Sequence, residues 1–296
     1  MTRAVLFDTT RCIGCRGCQV ACKEENRNPA EPTEFFARPG GYQTPAALSA
    51  RTFTLVSYHE LDVGQALPKW VFVRRQCMHC VEAACVANCP VNAMRKEDDG
   101  TVSYDQAKCI GCGTCVSVCP FGIPVLEQQE AGPRILKCTF CADRVREAEA
   151  PDVLNEGHRT PDVLDESKKA RHLAHGRTPA CVAACATGAL QHGDREALLT
   201  EAHRRIRQHP ERYVDHVYGE TEAGGTAWLY LAAVRFADLR MRTRFEERAG
   251  STVGLPGTLA LGAVACGWSW YERRRQRLTA DDAAGDDEGD RCSPPT

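Results

Sequence analysis

Apolar and polar positions alternate along this chain only in short stretches, and each stretch runs into a cysteine group. Ala4-Val5-Leu6-Phe7-Asp8 reads as a strand leading to Cys12. Trp70-Val71-Phe72-Val73 reads as a strand leading to Cys77, and Thr101-Val102-Ser103-Tyr104 as one leading to Cys109. A short segment suited to a helix start or a turn follows each group. The predicted unit is therefore strand, cysteine loop, short helix, repeated. Residues 23–69 read as a polar insertion rich in Pro, Gly and Glu, and residues 142–180 as a strongly charged one. The second holds an echo, PDVLNEGHRT then PDVLDESKKA. A solenoid needs more copies, so the echo reads as a duplication within a surface loop. Residues 194–209 (DREALLTEAHRRIRQH) have the spacing of an amphipathic surface helix with Asp194 as N-cap.

Near the C-terminus the pattern changes. Residues 249–271 (AGSTVGLPGTLALGAVACGWSWY) carry no charge, and about 20 mostly apolar residues suffice to cross a bilayer. Trp268, Trp270 and Tyr271 sit where an aromatic belt belongs. Gly254, Gly257 and Gly262 suit close packing against other membrane helices. A buried hairpin or core helix is the alternative. The acidic stretch 281–290 (DDAAGDDEGD) is expected to be disordered.

Composition changes the picture at one residue type. The chain has 296 residues, a formal net charge of -2 and 18 cysteines. That charge balance argues against a nucleic-acid partner, which calls for a basic excess. Sixteen cysteines fall into four tight groups, and only Cys266 and Cys292 stand apart. The first group is Cys12-x2-Cys15-x2-Cys18-x3-Cys22. The second is Cys77-x2-Cys80-x4-Cys85-x3-Cys89-Pro90, and the third is Cys109-x2-Cys112-x2-Cys115-x3-Cys119-Pro120. The fourth is Cys138-x2-Cys141, then a long gap, then Cys181-x3-Cys185.

Disulfides, zinc and iron–sulfur clusters all use many cysteines. Pairing within a C-x2-C would be strained or redox-active, and disulfide scaffolds are usually short secreted chains. A C-x2-C-x2-C-x3-C run places one cysteine too many on one side of a tetrahedral zinc ion. The third group instead matches the bacterial ferredoxin run C-x2-C-x2-C-x3-C-P. There three thiolates wrap one cubane and the fourth completes the neighbouring cluster. Such groups come in pairs, and four cysteines per cubane gives four [4Fe–4S] clusters with none left over. Gly14, Gly17, Gly111 and Gly113 suit backbone that bends around a cubane and aims N–H groups at its sulfides. No nucleophile elbow, phosphate loop or dinucleotide fingerprint occurs, which points to an electron conduit rather than an enzyme. MTRAVLFDTTRC holds no apolar signal stretch, so the chain is expected to lack a signal peptide of its own. It then either stays in the cytoplasm or is exported bound to a partner.

Four segments carry a resemblance: DTTRCIGCRGCQVAC, LSARTFTLV, QCMHCVEAACVANCP with KCIGCGTCVSVCPFGIP, and YGETEAGGTAWLYL. With them the chain, from about Leu6 to Tyr271, resembles the four-cluster ferredoxin-like subunits of molybdopterin oxidoreductases and membrane hydrogenases. It is most similar to formate dehydrogenase beta subunits and to the ferredoxin subunit of quinone-linked nickel–iron hydrogenase. The resemblance implies an α+β fold of two pseudo-symmetric bacterial-ferredoxin-like modules, one inserted in the other, with a single C-terminal transmembrane helix. Module A takes residues 1–69 and 128–195, and module B takes 70–127. An extension (196–248), the helix (249–271) and a charged tail (272–296) follow.

The resemblance also implies the ligand sets. Cluster 1 takes Cys12, Cys15, Cys18 and Cys185, and cluster 2 takes Cys138, Cys141, Cys181 and Cys22. Cluster 3 takes Cys77, Cys80, Cys85 and Cys119, and cluster 4 takes Cys109, Cys112, Cys115 and Cys89. They form a wire in that order. One end faces a large catalytic subunit (molybdopterin or nickel–iron), and the other a membrane cytochrome b or quinone-reactive subunit. The host is a formate dehydrogenase, with a nickel–iron hydrogenase or a sulfur-oxyanion reductase as alternatives. Its C-terminal helix would meet membrane lipid at the inner membrane. The cluster domain would be periplasmic after export with a partner, with the cytoplasmic face as the alternative. The flanking charge leaves orientation open. Arg273, Arg274, Arg275 and Arg277 follow the apolar segment, while Arg235, Arg240, Arg242, Arg244 and Arg248 precede it. The chain departs from the family where Cys185 is followed by Ala186 rather than proline, and in a longer 142–180 loop. Rivals from other classes are a free soluble ferredoxin and a zinc-binding interaction module.

Several residues invite other readings. Cys266 reads as a small packing residue and Cys292 as a free thiol. His79 suggests a Rieske ligand, but two histidines would have to replace two cysteines, so it reads as structural. His158, His172 and His175 read as solvated. Lys108 and Lys137 each precede a group cysteine, where a charge biases a potential, docks a partner or is simply solvated.

Overall fold

The computed structural model describes residues 2–33, 42–62, 68–129, 132–147 and 178–245, all within one unit, Met1–Phe245. Its organising element is β1 (Arg3–Asp8), buried at every position. Successive side chains of a strand face opposite sides, so a strand of continuous apolar residues must be covered on both. One face of β1 sends Ala4 and Leu6 into a core with Leu229, Leu231, Tyr213 and Val217. The other sends Val5 and Phe7 into a second core with Val71, Val73, Phe140, Trp228 and Tyr230.

β1 is the middle strand of a three-stranded sheet. It pairs antiparallel with β8 (Leu190–Asp194), Phe7 opposite Leu190, and parallel with β9 (Trp228–Leu231), Val5 opposite Trp228. Three two-stranded ribbons complete the strands. They are β2 (Leu55–Leu61) with β3 (Lys69–Arg75), β4 (Met94–Lys96) with β5 (Val102–Tyr104), and β6 (Val125–Gln129) with β7 (Gly132–Leu136).

Helices are short where cysteines crowd. α1 (Gly17–Glu25) begins inside the first cysteine group, while α2 (Ala84–Ala87), α3 (Thr114–Ser117) and α5 (Ala180–Ala183) are single turns in the other three. α4 (Ala142–Glu147) follows Cys141. α1 packs on α5, and α2 on α3. The long helix is α6 (Arg195–Gln208), the expected amphipathic one. Asp194 accepts hydrogen bonds from the amides of Glu196 and Ala197 at its N-terminus, which caps two otherwise unpaired donors. Leu198, Leu199, Ala202 and Ile206 bury its apolar stripe against the first face of β1.

The structure differs from three expectations. Residues 23–69 are not simply a polar insertion: they contain β2, whose Leu55 and Val56 are buried together with Phe53. The strand escapes notice because Ser57, Tyr58, His59 and Glu60 interrupt its apolar pattern. Residues 196–248 are more than an extension, because β9 supplies the parallel neighbour of the N-terminal strand. The expected boundary at 127/128 falls inside β6. Among the described residues no helix is long and apolar enough to cross a membrane. The apolar segment 249–271, Cys266, the acidic stretch, Cys292, His158, His172, His175 and the sequence echo all lie outside the described residues.

Candidate metal centres

Each cysteine group sits where a strand gives way to tightly curled backbone. After β1, the Arg11 and Cys12 amides donate back to the Asp8 and Thr9 carbonyls, which turns the chain into the first group. Gly14 lies at φ 68°, and a Cβ there would meet the Phe72 ring at 2.7 Å. Gly111 lies at φ 72°, and a Cβ there would meet Pro133 at 2.4 Å. Both positions combine a left-handed conformation with a close approach, which only glycine tolerates. The fourth group lacks glycine and turns instead on Phe140 and Cys141, both at positive φ.

The curled backbone aims amides at sulfur. The Ala93 amide donates to Cys89 Sγ at 3.2 Å and the Phe140 amide to Cys138 Sγ at 3.4 Å. Burial pushes the Cys119 thiol up, while the amides of Ile123, Phe121 and Gly122 hold it down. Donors to sulfur favour its charged form.

The thiols act on one another in four quartets. In every case burial is the first cause of a raised pKa, and neighbouring thiolates add to it. Cys12 is raised by burial and then by Cys185 and Cys15, against the Gly14 amide. Cys18 is pushed up to about 12 by burial, with Cys181, Cys12 and Cys185 adding to it. Cys138 is pushed up to about 12 by burial, then by Cys22, Cys77 and Cys181. Cys141 is driven well up by burial and by Cys181, Cys138 and Cys22. Cys80 is raised by burial, then by Cys77, Cys119 and Cys85. Cys85 is pushed up to about 12 by burial, with Cys77, Cys119 and Cys115 adding. Cys115 is pushed up to about 11 by burial and by Cys112, Cys109 and Cys89. The thiols thus act on one another as Cys12 with Cys15, Cys18 and Cys185; Cys141 with Cys22, Cys138 and Cys181; Cys80 with Cys77, Cys85 and Cys119; and Cys115 with Cys89, Cys109 and Cys112. The last four line one pocket, walled by Val91, Ile110 and Ile135. Three of these electrostatic influences cross between quartets: that of Cys181 on Cys18, of Cys77 on Cys138, and of Cys115 on Cys85.

Among the described residues no three His, Cys, Asp or Glu side chains close tightly enough to hold a single metal ion. A cubane spreads its four thiolates around a larger body, and quartets with amide donors and apolar walls fit that group. Thiols this buried stay protonated unless a metal replaces the proton, so loading couples to proton release.

Cations near the quartets depart from expectation. Lys137 is not solvated: it is 2% exposed, donates to the Val102 and Cys138 carbonyls, and lies 5.6 Å from the centre of the Tyr104 ring. Lys108 is exposed and pairs with Asp105 at 3.6 Å. His79 is fully buried. Its Nδ1 accepts from the Val102 amide at 2.9 Å. Burial, then Lys137 and Lys96, drive its pKa well down, so it is a neutral structural imidazole. Sequence reasoning missed Arg74, which is 1% exposed beside the quartets. Its one signal was a position within the apolar run of β3.

Residues 68–157 match a family described as a 4Fe-4S dicluster domain. The chain is 33% identical over 231 residues to the iron–sulfur subunit of the nitrate-inducible formate dehydrogenase of Escherichia coli, covering 77% of this chain and 67% of that one. It is 36% identical over 288 residues to a protein of Nitratidesulfovibrio vulgaris, covering 95% and 69%. It is 28% identical over 320 residues to the hydrogenase-2 operon protein HybA of Escherichia coli O157:H7, covering 96% and 88%.

Proposed function

This chain belongs to the family of ferredoxin-like iron–sulfur electron-transfer subunits, and from that premise we propose that it holds four [4Fe–4S] clusters in a single line. The quartets Cys12/Cys15/Cys18/Cys185, Cys22/Cys138/Cys141/Cys181, Cys77/Cys80/Cys85/Cys119 and Cys89/Cys109/Cys112/Cys115 each hold one cluster. When bound, each cluster stores and releases one electron. The protein's part is to fix spacing, exclude water and supply amide donors and charge.

One observation carries the linear order. The electrostatic influences between quartets run from second to first, third to second and fourth to third, which supports that order. The two exposed grouped thiols, Cys15 and Cys112, belong to the first and last quartets. A conduit needs access at its ends and insulation between them. The first and second quartets form one ferredoxin-like module, built on α1 and α5. The third and fourth form the other, built on α2 and α3 and inserted into the first.

The chain itself is non-catalytic. It connects a large molybdopterin catalytic subunit of the formate dehydrogenase type to a membrane cytochrome b or quinone-reactive subunit, and residues 249–271 anchor it in the membrane. The cluster domain faces the periplasm after export with a partner. A nickel–iron hydrogenase is the second host to consider, because the hydrogenase-2 relative aligns across more of this chain than the formate dehydrogenase one does.

Metal analysis of anaerobically purified full-length protein tests the proposal. About 16 iron and about 16 sulfide per chain are expected, with paramagnetism after reduction and a large subunit that co-purifies. A full complement of zinc and no iron would end it.

A further inference from the structure

Among the described residues Arg74 is the least expected buried group. β3 ends in two arginines, and they part company: Arg75 is exposed while Arg74 is 1% exposed. Burying a lone guanidinium costs a great deal unless an anion compensates it. Among the described residues no carboxylate pairs with it. Its Nη2 donates to Thr54 Oγ1 at 2.9 Å, and its guanidinium lies 4.1 Å from the centre of the Trp228 ring. Nε and Nη1 find no acceptor. The groups that act on it electrostatically are sulfur, Cys181, Cys18, Cys138 and Cys22, which become anionic once they hold a cluster. Thr54 ties the guanidinium to the same region, because it follows Phe53, which packs with Cys22.

We propose that Arg74 is a buried, permanently charged tuning residue that raises the reduction potential of the cluster held by Cys22, Cys138, Cys141 and Cys181 and, more weakly, that of the cluster held by Cys12, Cys15, Cys18 and Cys185. A cubane with four thiolates is an anion whose negative charge grows on reduction. A fixed cation beside it therefore stabilises the reduced form more than the oxidised one. Trp228 excludes water from the guanidinium, so the field is poorly screened. Two free donors leave it able to bond sulfur or sulfide, and such bonds also raise potentials. Three of its four sulfur partners belong to the second quartet and one to the first, which sets the ranking.

The inference rests on the proposed clusters, and the experiment separates the two. Iron and sulfide are counted first on anaerobic full-length protein; a wild type without clusters overturns the proposed function. With loaded wild type, an EPR-monitored redox titration compares Arg74→Met, Arg74→Lys and Arg75→Met. In Arg74→Met two components should fall. At the wild-type midpoint, the reduced-to-oxidised ratio of the more affected one should drop about tenfold, which is about 59 mV for a one-electron couple. Arg74→Lys keeps the charge and should stay within about threefold of wild type, as should Arg75→Met. A fully loaded Arg74→Met with unmoved potentials would overturn the inference, and so would an equal shift in Arg75→Met. If Arg74→Met fails to load iron, Arg74→Gln replaces it under the same criteria. Loss of iron from both, with Arg74→Lys intact, would overturn tuning in favour of a role in assembly.

Discussion

Removing the Cys22 sulfur asks whether ligand sets cross between distant groups or close within one. Cys22 is 6% exposed, packs with Phe53 and Leu136, and acts on Cys138 and Cys141 rather than only on its neighbours in sequence. In Cys22→Ala the local cost is that of deleting one buried methylene-sized group, about 1 kcal/mol. That is too little to unfold a domain, so iron loss reports ligation. The expected loss is one cubane, about four of about sixteen iron atoms per chain. Double variants give the sharper reading, since groups that serve one site are non-additive. Cys22→Ala with Cys141→Ala should lose no more iron than either alone, about four. Cys22→Ala with Cys15→Ala should lose about eight, although those two cysteines are neighbours in sequence. The assay is iron and sulfide analysis with Mössbauer quantitation on anaerobic protein. The reverse pattern, four lost with Cys15 and eight with Cys141, would refute the crossed arrangement.

Three further outcomes follow from the geometry. Gly219 sits at φ 97° with a Cβ position 2.2 Å from the Trp228 carbonyl oxygen, and β9 is held by β1. Gly219→Ala should therefore cost at least roughly 2 kcal/mol, and thermal unfolding showing no loss would contradict it. Asp194→Ala removes a cap that accepts from two amides and should destabilise α6 by about 1 kcal/mol in denaturant titration. Burial, then Arg240 and Arg75, lower the His59 pKa to about 4. The unfolded chain takes up this proton first, so stability is level above about 6.5 and falls as pH drops toward about 4. His59→Gln should remove that part of the fall, and an imidazole titration centred near 6.5 in the folded protein would refute the assignment.

Where the sequence was readable, the signal was local. β1, β3 and β5 announced themselves because an apolar run stands directly before each cysteine group, and α6 because its stripe and its Asp194 cap are contiguous. What escaped depends on distant partners. β2 looks polar because Ser57 to Glu60 interrupt its apolar run, although Ser57 is buried, and only its pairing with β3 makes it a strand. β9 lies at the far end of the described chain from β1, and no local pattern announces a parallel pairing across that distance. Arg74 and Lys137 look like surface charges in one dimension. Their burial is comprehensible only once sulfur from several groups has been gathered around them. The cysteine spacings were legible for another reason: the chemistry constrains them more tightly than packing constrains apolar residues.

The nested order of the groups also dictates when the site around Arg74 can exist. The ribbons β4–β5 and β6–β7 and the α2–α3 contact join residues close in sequence, so their loop-closure cost is small. The central sheet is different: β1 pairs with β8 and β9, which lie more than 180 residues further along the chain, and such non-local pairing is slow. Tyr230 on β9 donates its hydroxyl hydrogen to the Arg74 carbonyl at 2.9 Å while accepting one from Gln76 at 2.7 Å. Trp228, two residues earlier, covers the guanidinium. Until β9 docks beside β1, Arg74 remains open to water and its charge is screened. The cation has its full field only with the sheet closed, so the electrostatic environment around it depends on the distant strand β9 as well as on the local loops that carry the cysteines.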